Sequence, residues 1–90
     1  MIKNIEGKQV VVFKKKTGCP KCLFLDMAIK SSDFKDDIQE IYLEDYSAEE
    51  FNEEGIMSTP VLALVEDGKI VKRDNNALTA DHVEKFMNNL

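Results

Sequence analysis

The sequence predicts an α/β protein with the element order βαβαββα, a four-stranded mixed sheet flanked by helices on both faces. Three observations predict it. Two short runs, Gln9 to Phe13 and Pro60 to Val65, are almost wholly apolar, the first also β-branched, as suits strands covered on both sides. The stretches between and after them carry apolar residues at helical spacing behind plausible caps. The pair Asp67-Gly68 between apolar runs supplies the positive φ angles of a tight hairpin.

The elements follow in order. Gln9 to Phe13 is the first strand, ending in the polar turn Lys14-Lys15-Lys16-Thr17-Gly18. Pro20 suits the first turn of a helix, where its missing N–H would have no partner anyway. Apolar residues then recur at Cys22, Leu25, Met27, Ala28 and Ile29, which predicts a helix over Pro20 to Lys30, stopped by Ser31-Ser32. Ile38, Ile41 and Leu43 mark a second strand within 36–43. Ser47 with Glu50 has capping-box spacing and predicts a short helix over Ala48 to Glu54, closed by Gly55. Pro60 to Val65 is the third strand, and Ile70 to Arg73 returns as a charged edge strand that discourages further pairing. Thr79 or Asp81 caps a last amphipathic helix with Val83, Phe86, Met87 and Leu90 on one side. The helical crossover predicts parallel strands and the hairpin an antiparallel pair.

Ninety residues without repeats or linkers predict one domain over 1–90, and a hydrophobic fraction of 43 % is that of a globular chain. The 17 acidic and 12 basic side chains leave a formal charge of −5, which offers no general attraction to nucleic acid or anionic lipid. No apolar run reaches the roughly 20 residues a bilayer demands, and the first residues do not read as a signal peptide. The expectation is a soluble, monomeric, cytoplasmic protein in a reducing compartment.

That compartment bears on the two cysteines, Cys19 and Cys22. A structural disulfide is unusual there, and a loop this short constrains the unfolded chain little. Three apart at the start of a helix, the two Cβ atoms lie roughly 5–6 Å apart on one side, and a disulfide wants about 3.8 Å. A small adjustment makes or breaks the bond, so the pair reads as a reversible two-electron switch. The helix amino end favours an anion, and Lys16 and Lys21 add positive charge, which should lower the Cys19 pKa from about 8.5 into the range of roughly 3.5–7.5. Cys19 is then the nucleophile, and Cys22, deeper in the helix, the resolving thiol. The competing readings are a zinc site and an idle pair. A zinc site within one chain lacks a second cysteine pair, and the single histidine, His82, is remote, which leaves only a zinc shared between two chains. His82 reads as a surface helix residue, and Lys14 and Lys15 fit a solvated turn and a functional role equally well.

Thr17-Gly18-Cys19-Pro20-Lys21-Cys22 after an apolar strand, and Ser58-Thr59-Pro60-Val61-Leu62 after a glycine-ended helix, resemble the thioredoxin and glutaredoxin superfamily over essentially the whole chain. The resemblance implies a thioredoxin-like fold, a redox-active Cys19–Cys22 disulfide with no other cofactor and no metal, and a cis Pro60 against the cysteines. It implies that the backbone before Pro60, at Thr59, meets the thiol substrate. Lys16 matches a basic glutathione-contacting position of glutaredoxins, and the segments Asp67 to Val71, Asn76 to Thr79 and Phe86 to Leu90 are similar to thioredoxins. The glutaredoxin Gly-Gly pair is absent from Lys72-Arg73-Asp74-Asn75-Asn76. The thioredoxin Trp and buried Asp are replaced by Gly18 and Phe13. Small redoxins that serve ribonucleotide reductase combine features in this way. The expected function is reduction of protein disulfides, with recharging by an NADPH-dependent flavoprotein reductase of thioredoxin type; glutathione is the alternative reductant. A non-catalytic peptide-binding module and a zinc-bridged dimer are the remaining rivals.

Overall fold

A computed structural model describes residues 2–90. Its elements are β1 (Lys8–Lys14), α1 (Pro20–Lys30), β2 (Ile38–Tyr42), a 3-10 turn (Leu43–Asp45), α2 (Ala48–Glu53), β3 (Val61–Glu66), β4 (Lys69–Asp74) and α3 (Ala80–Asn88). The four strands form one mixed sheet in the order β2-β1-β3-β4. β1 pairs parallel with β2, whereas β3 runs antiparallel to both β1 and β4. The apolar runs are the two central strands, which is why they need no polar face. At the edges, β2 buries only Ile38 and Ile41, and β4 alternates exposed and half-buried residues.

Alternation along the central strands feeds two cores. Val10 and Val12 of β1 and Leu62 and Leu64 of β3 pack with Leu25, Ala28 and Ile29 of α1 and Val83 and Phe86 of α3. Val11, Phe13, Val61, Ala63 and Val65 point the other way, onto Phe51 of α2, Ile56 and Ile2. Phe13 meets Phe51 edge-on with ring centres 5.5 Å apart. Helices therefore cover both faces. Two predicted core residues lie outside: Met27 and Leu90 are exposed. Leu90 follows the end of α3, so the helix periodicity that placed it inward no longer applies to it.

Side chains close the helix ends, some local and some from β4. The Thr79 hydroxyl accepts the His82 N–H, and His82 Nδ1 accepts the N–H of Leu78 at 3.0 Å, which makes the lone histidine a cap of α3. Ser47 accepts from Glu50 N–H as its spacing predicts. Arg73 of β4 donates to the carbonyl groups of Glu54 and Gly55 at 3.0 and 2.8 Å, fixing the exit of α2 toward Pro60. Lys72 donates to Asn89 O at 2.8 Å at the end of α3. In the hairpin, Asp67 and Gly68 adopt φ of 50° and 82°, the turn their identity predicts.

Lys14 is the main departure from the sequence reading. It is the last residue of β1, not part of a solvated turn, and only 4 % exposed. Its position continues the series Val10, Val12, so its side chain enters the layer under α1. There Nζ meets Asp26 Oδ1 at 2.5 Å and Glu40 Oε2 at 2.8 Å, and it lies 4.9 Å from the centre of the Tyr42 ring. Burial pulls its pKa down, but the hydrogen bonds and charges of the two carboxylates outweigh that and raise it. The lysine hydrogen bond, followed by that of Tyr42, lowers the Glu40 pKa. Pairing of Lys14 therefore contributes in full below the unfolded lysine pKa of about 10.4 and is lost as pH rises through the higher folded value. Glu40 contributes above its ordinary range and is lost as pH falls through its lowered value. Asp26→Ala, which leaves the buried ammonium one acceptor short, is expected to cost about 2 kcal/mol in urea unfolding. The near-isosteric Lys14→Met should cost less, because both carboxylates keep access to water; the reverse order would contradict this account.

Candidate active site

Cys19 occupies the N-cap of α1, and Pro20 follows at the first helical position. An N-cap must offer an acceptor to the unpaired N–H groups of the first turn. Here that acceptor is sulfur: Cys19 Sγ takes the Cys22 N–H at 3.2 Å, and the Cys19 carbonyl takes the N–H of Cys22 at 3.1 Å and of Leu23 at 3.3 Å. Gly18, immediately before, has φ of +70°, a left-handed turn that glycine adopts without the Cβ penalty. The two cysteines are joined as a disulfide with Cα atoms 5.2 Å apart, so the first helical turn holds them at bonding distance without distortion of the helix. Their exposures differ. Cys22 is 2 % exposed on the inner face of α1 beside Leu25 and Ile29, whereas Cys19 is half-buried. Only one sulfur is open to a second molecule.

The Ser58-Thr59-Pro60 loop reaches the same sulfur from the other side. Cys19 Sγ lies 3.5 Å from Thr59 Oγ1 and 3.7 Å from Thr59 O. A disulfide sulfur has no proton to give, so in this state the threonine hydroxyl is the donor. The Thr59–Pro60 peptide is cis and Pro60 is buried. The structure thus brings Cys19, Pro20, Cys22, Thr59 and Pro60 together. A cleft of about 260 Å³ reaches this group at Thr59 and is otherwise lined by residues that include Lys15, Leu43, Phe51, Asn52 and Met57.

The lysines divide differently from the sequence expectation. Lys16 is turned toward Asp45, with Nζ 2.7 Å from Oδ1 and 5.2 Å from the Tyr42 ring centre. Its pKa is raised, first by that hydrogen bond. Lys15, rather than Lys16, lines the cleft beside Thr59. Lys21 is exposed in the first turn of α1 and forms no ion pair among the described residues.

One positioning group escaped the sequence reading. The Glu44 carboxylate accepts the backbone N–H of Lys16 at 2.9 and 3.0 Å and that of Thr17 at 3.4 Å. It holds the turn that presents Cys19. Those bonds, with the Lys16 N–H first, keep the Glu44 carboxyl below its usual pKa. No local signal announces this, since Glu44 lies 28 residues from Lys16 in sequence. Among the described residues no group of three or more His, Cys, Asp or Glu side chains is placed to hold a metal ion. No helix among them is long and apolar enough to cross a membrane.

Comparison with known proteins agrees with this geometry at the level of fold. No family model matches the chain, and no curated protein is similar to it in sequence. Solved structures do match. Thioredoxin of Fasciola hepatica superposes with a TM-score of 0.70 at 16 % identity, over 97 % of this chain and 84 % of that one. Mitochondrial thioredoxin 3 of Saccharomyces cerevisiae, in its oxidised form, gives 0.69 at 21 % identity, over 99 % and 83 %. The first two thioredoxin domains of Saccharomyces cerevisiae Eps1p give 0.69 at 19 % identity, over 90 % of this chain and 34 % of that one.

Because the Glu44 bonds exist only while the carboxylate is ionised, they persist above the ordinary glutamate pKa of about 4.3 and are lost as pH falls through the lower folded value. The Lys16 and Thr17 amide proton resonances should therefore titrate together with a midpoint below 4.3, and Glu44→Gln should abolish that titration. A midpoint at or above the ordinary value would contradict the assignment. The chain has the thioredoxin fold, with a Cys-X-X-Cys disulfide at the amino end of its first helix.

Proposed function

We propose that this chain is a dithiol–disulfide oxidoreductase that reduces protein disulfides in the cytoplasm and is recharged by an NADPH-dependent flavoprotein reductase of thioredoxin type. The observation that carries it is the asymmetry of the Cys19–Cys22 bond: one sulfur reachable at a helix cap, the other 2 % exposed and bonded to it.

In the reduced protein the Cys22 N–H that Cys19 Sγ accepts, together with the helix dipole, favours its thiolate. That thiolate attacks one sulfur of the substrate disulfide, forming a mixed disulfide and releasing the other substrate sulfur as a thiolate. Cys22, deprotonated, then attacks Cys19 Sγ. The internal disulfide forms, the second substrate thiolate leaves, and two electrons have passed from the dithiol to the substrate. The distances of 3.5–3.7 Å between Thr59 and Cys19 Sγ support a role for Thr59 in meeting a substrate bonded to that sulfur.

A flavoprotein is preferred over glutathione as reductant because the stretch matching the glutaredoxin glycine pair is committed elsewhere. Lys72 holds the end of α3, Arg73 the end of α2, and Asp74 accepts the Asn76 N–H at 2.8 Å. Lys15 in the cleft is the observation that favours the alternative, since it offers a cation to a small carboxylate ligand.

The oxidised protein should consume NADPH in the presence of a thioredoxin reductase, and far more slowly with glutathione and glutathione reductase. Turnover supported by glutathione alone would contradict the preferred route. Cys19→Ser should reduce activity to the uncatalysed background, and Cys22→Ser should stop at a mixed disulfide visible by mass. Undiminished biological activity of Cys19→Ser would favour a non-catalytic binding module, and stoichiometric zinc with chelator-sensitive dimers would favour a metal-bridged one.

A further inference from the structure

α1 is apolar on nearly every side. Its inner face buries Cys22, Leu25, Ala28 and Ile29. Its outer face carries Pro20, Leu23, Phe24, Met27 and Lys30, spaced three and four apart and so contiguous along the helix. Leu23 is 64 % exposed, Phe24 59 % and Met27 68 %. An amphipathic helix would place charge there, and a helix apolar all round is normally covered. Three such side chains in a row expose on the order of 300 Å², the scale at which surface patches on monomers are commonly functional.

Charge and size point to what covers it. Between residues 14 and 30 there are five lysines and one acid, Asp26, while every other of the chain's 17 acidic side chains lies outside this segment. Lys14 and Lys16 are neutralised by Asp26, Glu40 and Asp45. Lys21 and Lys30, at either end of α1, form no ion pair among the described residues, although Lys30 lies close enough to Glu40 to lower its pKa slightly. Asp33 follows the helix end. The ridge is therefore apolar with a basic rim on an otherwise acidic protein. A second copy fits poorly, since it would bring lysine rims together, and the patch is well below the roughly 800 Å² per partner of a stable interface. A transient partner fits.

We infer that the outer face of α1 is a docking ridge for the disulfide-bearing substrate protein, which covers Leu23, Phe24 and Met27 with an apolar groove rimmed by carboxylates while its disulfide reaches Cys19. The inference rests on the redox reading above. Continuity supports it: Pro20 is exposed and lies between Cys19 in sequence and Leu23 and Phe24 one turn on, so a protein seated at Cys19 lies over the start of the ridge. The apolar contact lengthens the encounter, and the lysine rim selects acidic surfaces and speeds their approach.

The test compares two disulfides in single turnovers of the pre-reduced full chain: insulin, an acidic protein with exposed apolar surface, and bis(2-hydroxyethyl) disulfide, which is small and neutral. The triple variant Leu23→Ser, Phe24→Ser, Met27→Ser should lower the second-order rate constant for insulin about tenfold and leave that for the small disulfide within about twofold. Lys30→Glu should slow insulin reduction at low salt and remove much of its salt dependence, again sparing the small disulfide. Insulin reduction insensitive to both variants would overturn the inference, as would equal losses on both substrates. Sedimentation showing that the native chain dimerises and the triple variant does not would overturn it in favour of self-association. If native protein reduces neither disulfide, the redox reading itself fails, a result distinct from the others.

Discussion

A sulfur atom serves as the N-cap of α1, and the remainder of the site is organised around that fact. The first turn of any helix has N–H groups without intrahelical partners, and an oxygen from Ser, Thr, Asp or Asn usually satisfies one of them. Here Cys19 Sγ accepts the Cys22 N–H at 3.2 Å. A thiolate is a better acceptor than a disulfide sulfur and gains from the helix dipole as well, so the same contact that caps the helix would stabilise a thiolate on the reduced Cys19. Capping and reactivity are one interaction. Because the acceptor and the donor belong to the two cysteines, the cap also fixes the distance across which the internal bond forms.

The scaffold protects this contact from both sides. Glu44 ties down the turn before Cys19 through the Lys16 and Thr17 N–H groups. Thr59, carried by the loop that leaves α2, reaches Cys19 Sγ from the opposite side, and Arg73 of the edge strand closes α2 where that loop begins. Beneath α1, Lys14 joins the helix through Asp26 to Glu40 of β2. Strands β1, β2 and β4 thus each contribute a charged residue to the placement of a disulfide that carries no charge itself. The arrangement keeps the interior charge paired and leaves the apolar outer face of α1 to the solvent.

Much of this was legible in the sequence where the signal is local. The β-branched runs located the central strands, Pro20 the start of α1, Gly55 the end of α2 and Asp67-Gly68 the hairpin, because each residue acts on its own backbone. The cysteine spacing located the disulfide pair for the same reason. What depends on distant partners was not legible. Lys14 reads as the first residue of a polar turn, and only the carboxylates of Asp26 and Glu40 make its burial tolerable. Lys16 sits three before Cys19, yet its partner Asp45 is 29 residues away and draws it aside. Helical spacing counted Met27 among the core residues of α1, but spacing alone does not say how wide a stripe the sheet covers. The antiparallel pairing of β3 with β1 likewise follows from where the chain re-enters the sheet after α2, not from any residue in β3.

The central claim is electrostatic: the amino end of α1 stabilises a thiolate on Cys19. The most direct measurement is the thiolate absorbance of the reduced protein near 240 nm as a function of pH, with Cys22→Ser to isolate one sulfur. A midpoint for Cys19 at least one unit below the free cysteine value of about 8.5 is the expected result. A midpoint at or above that value would mean that the cap does not favour the anion, and the mechanism built on it would fall.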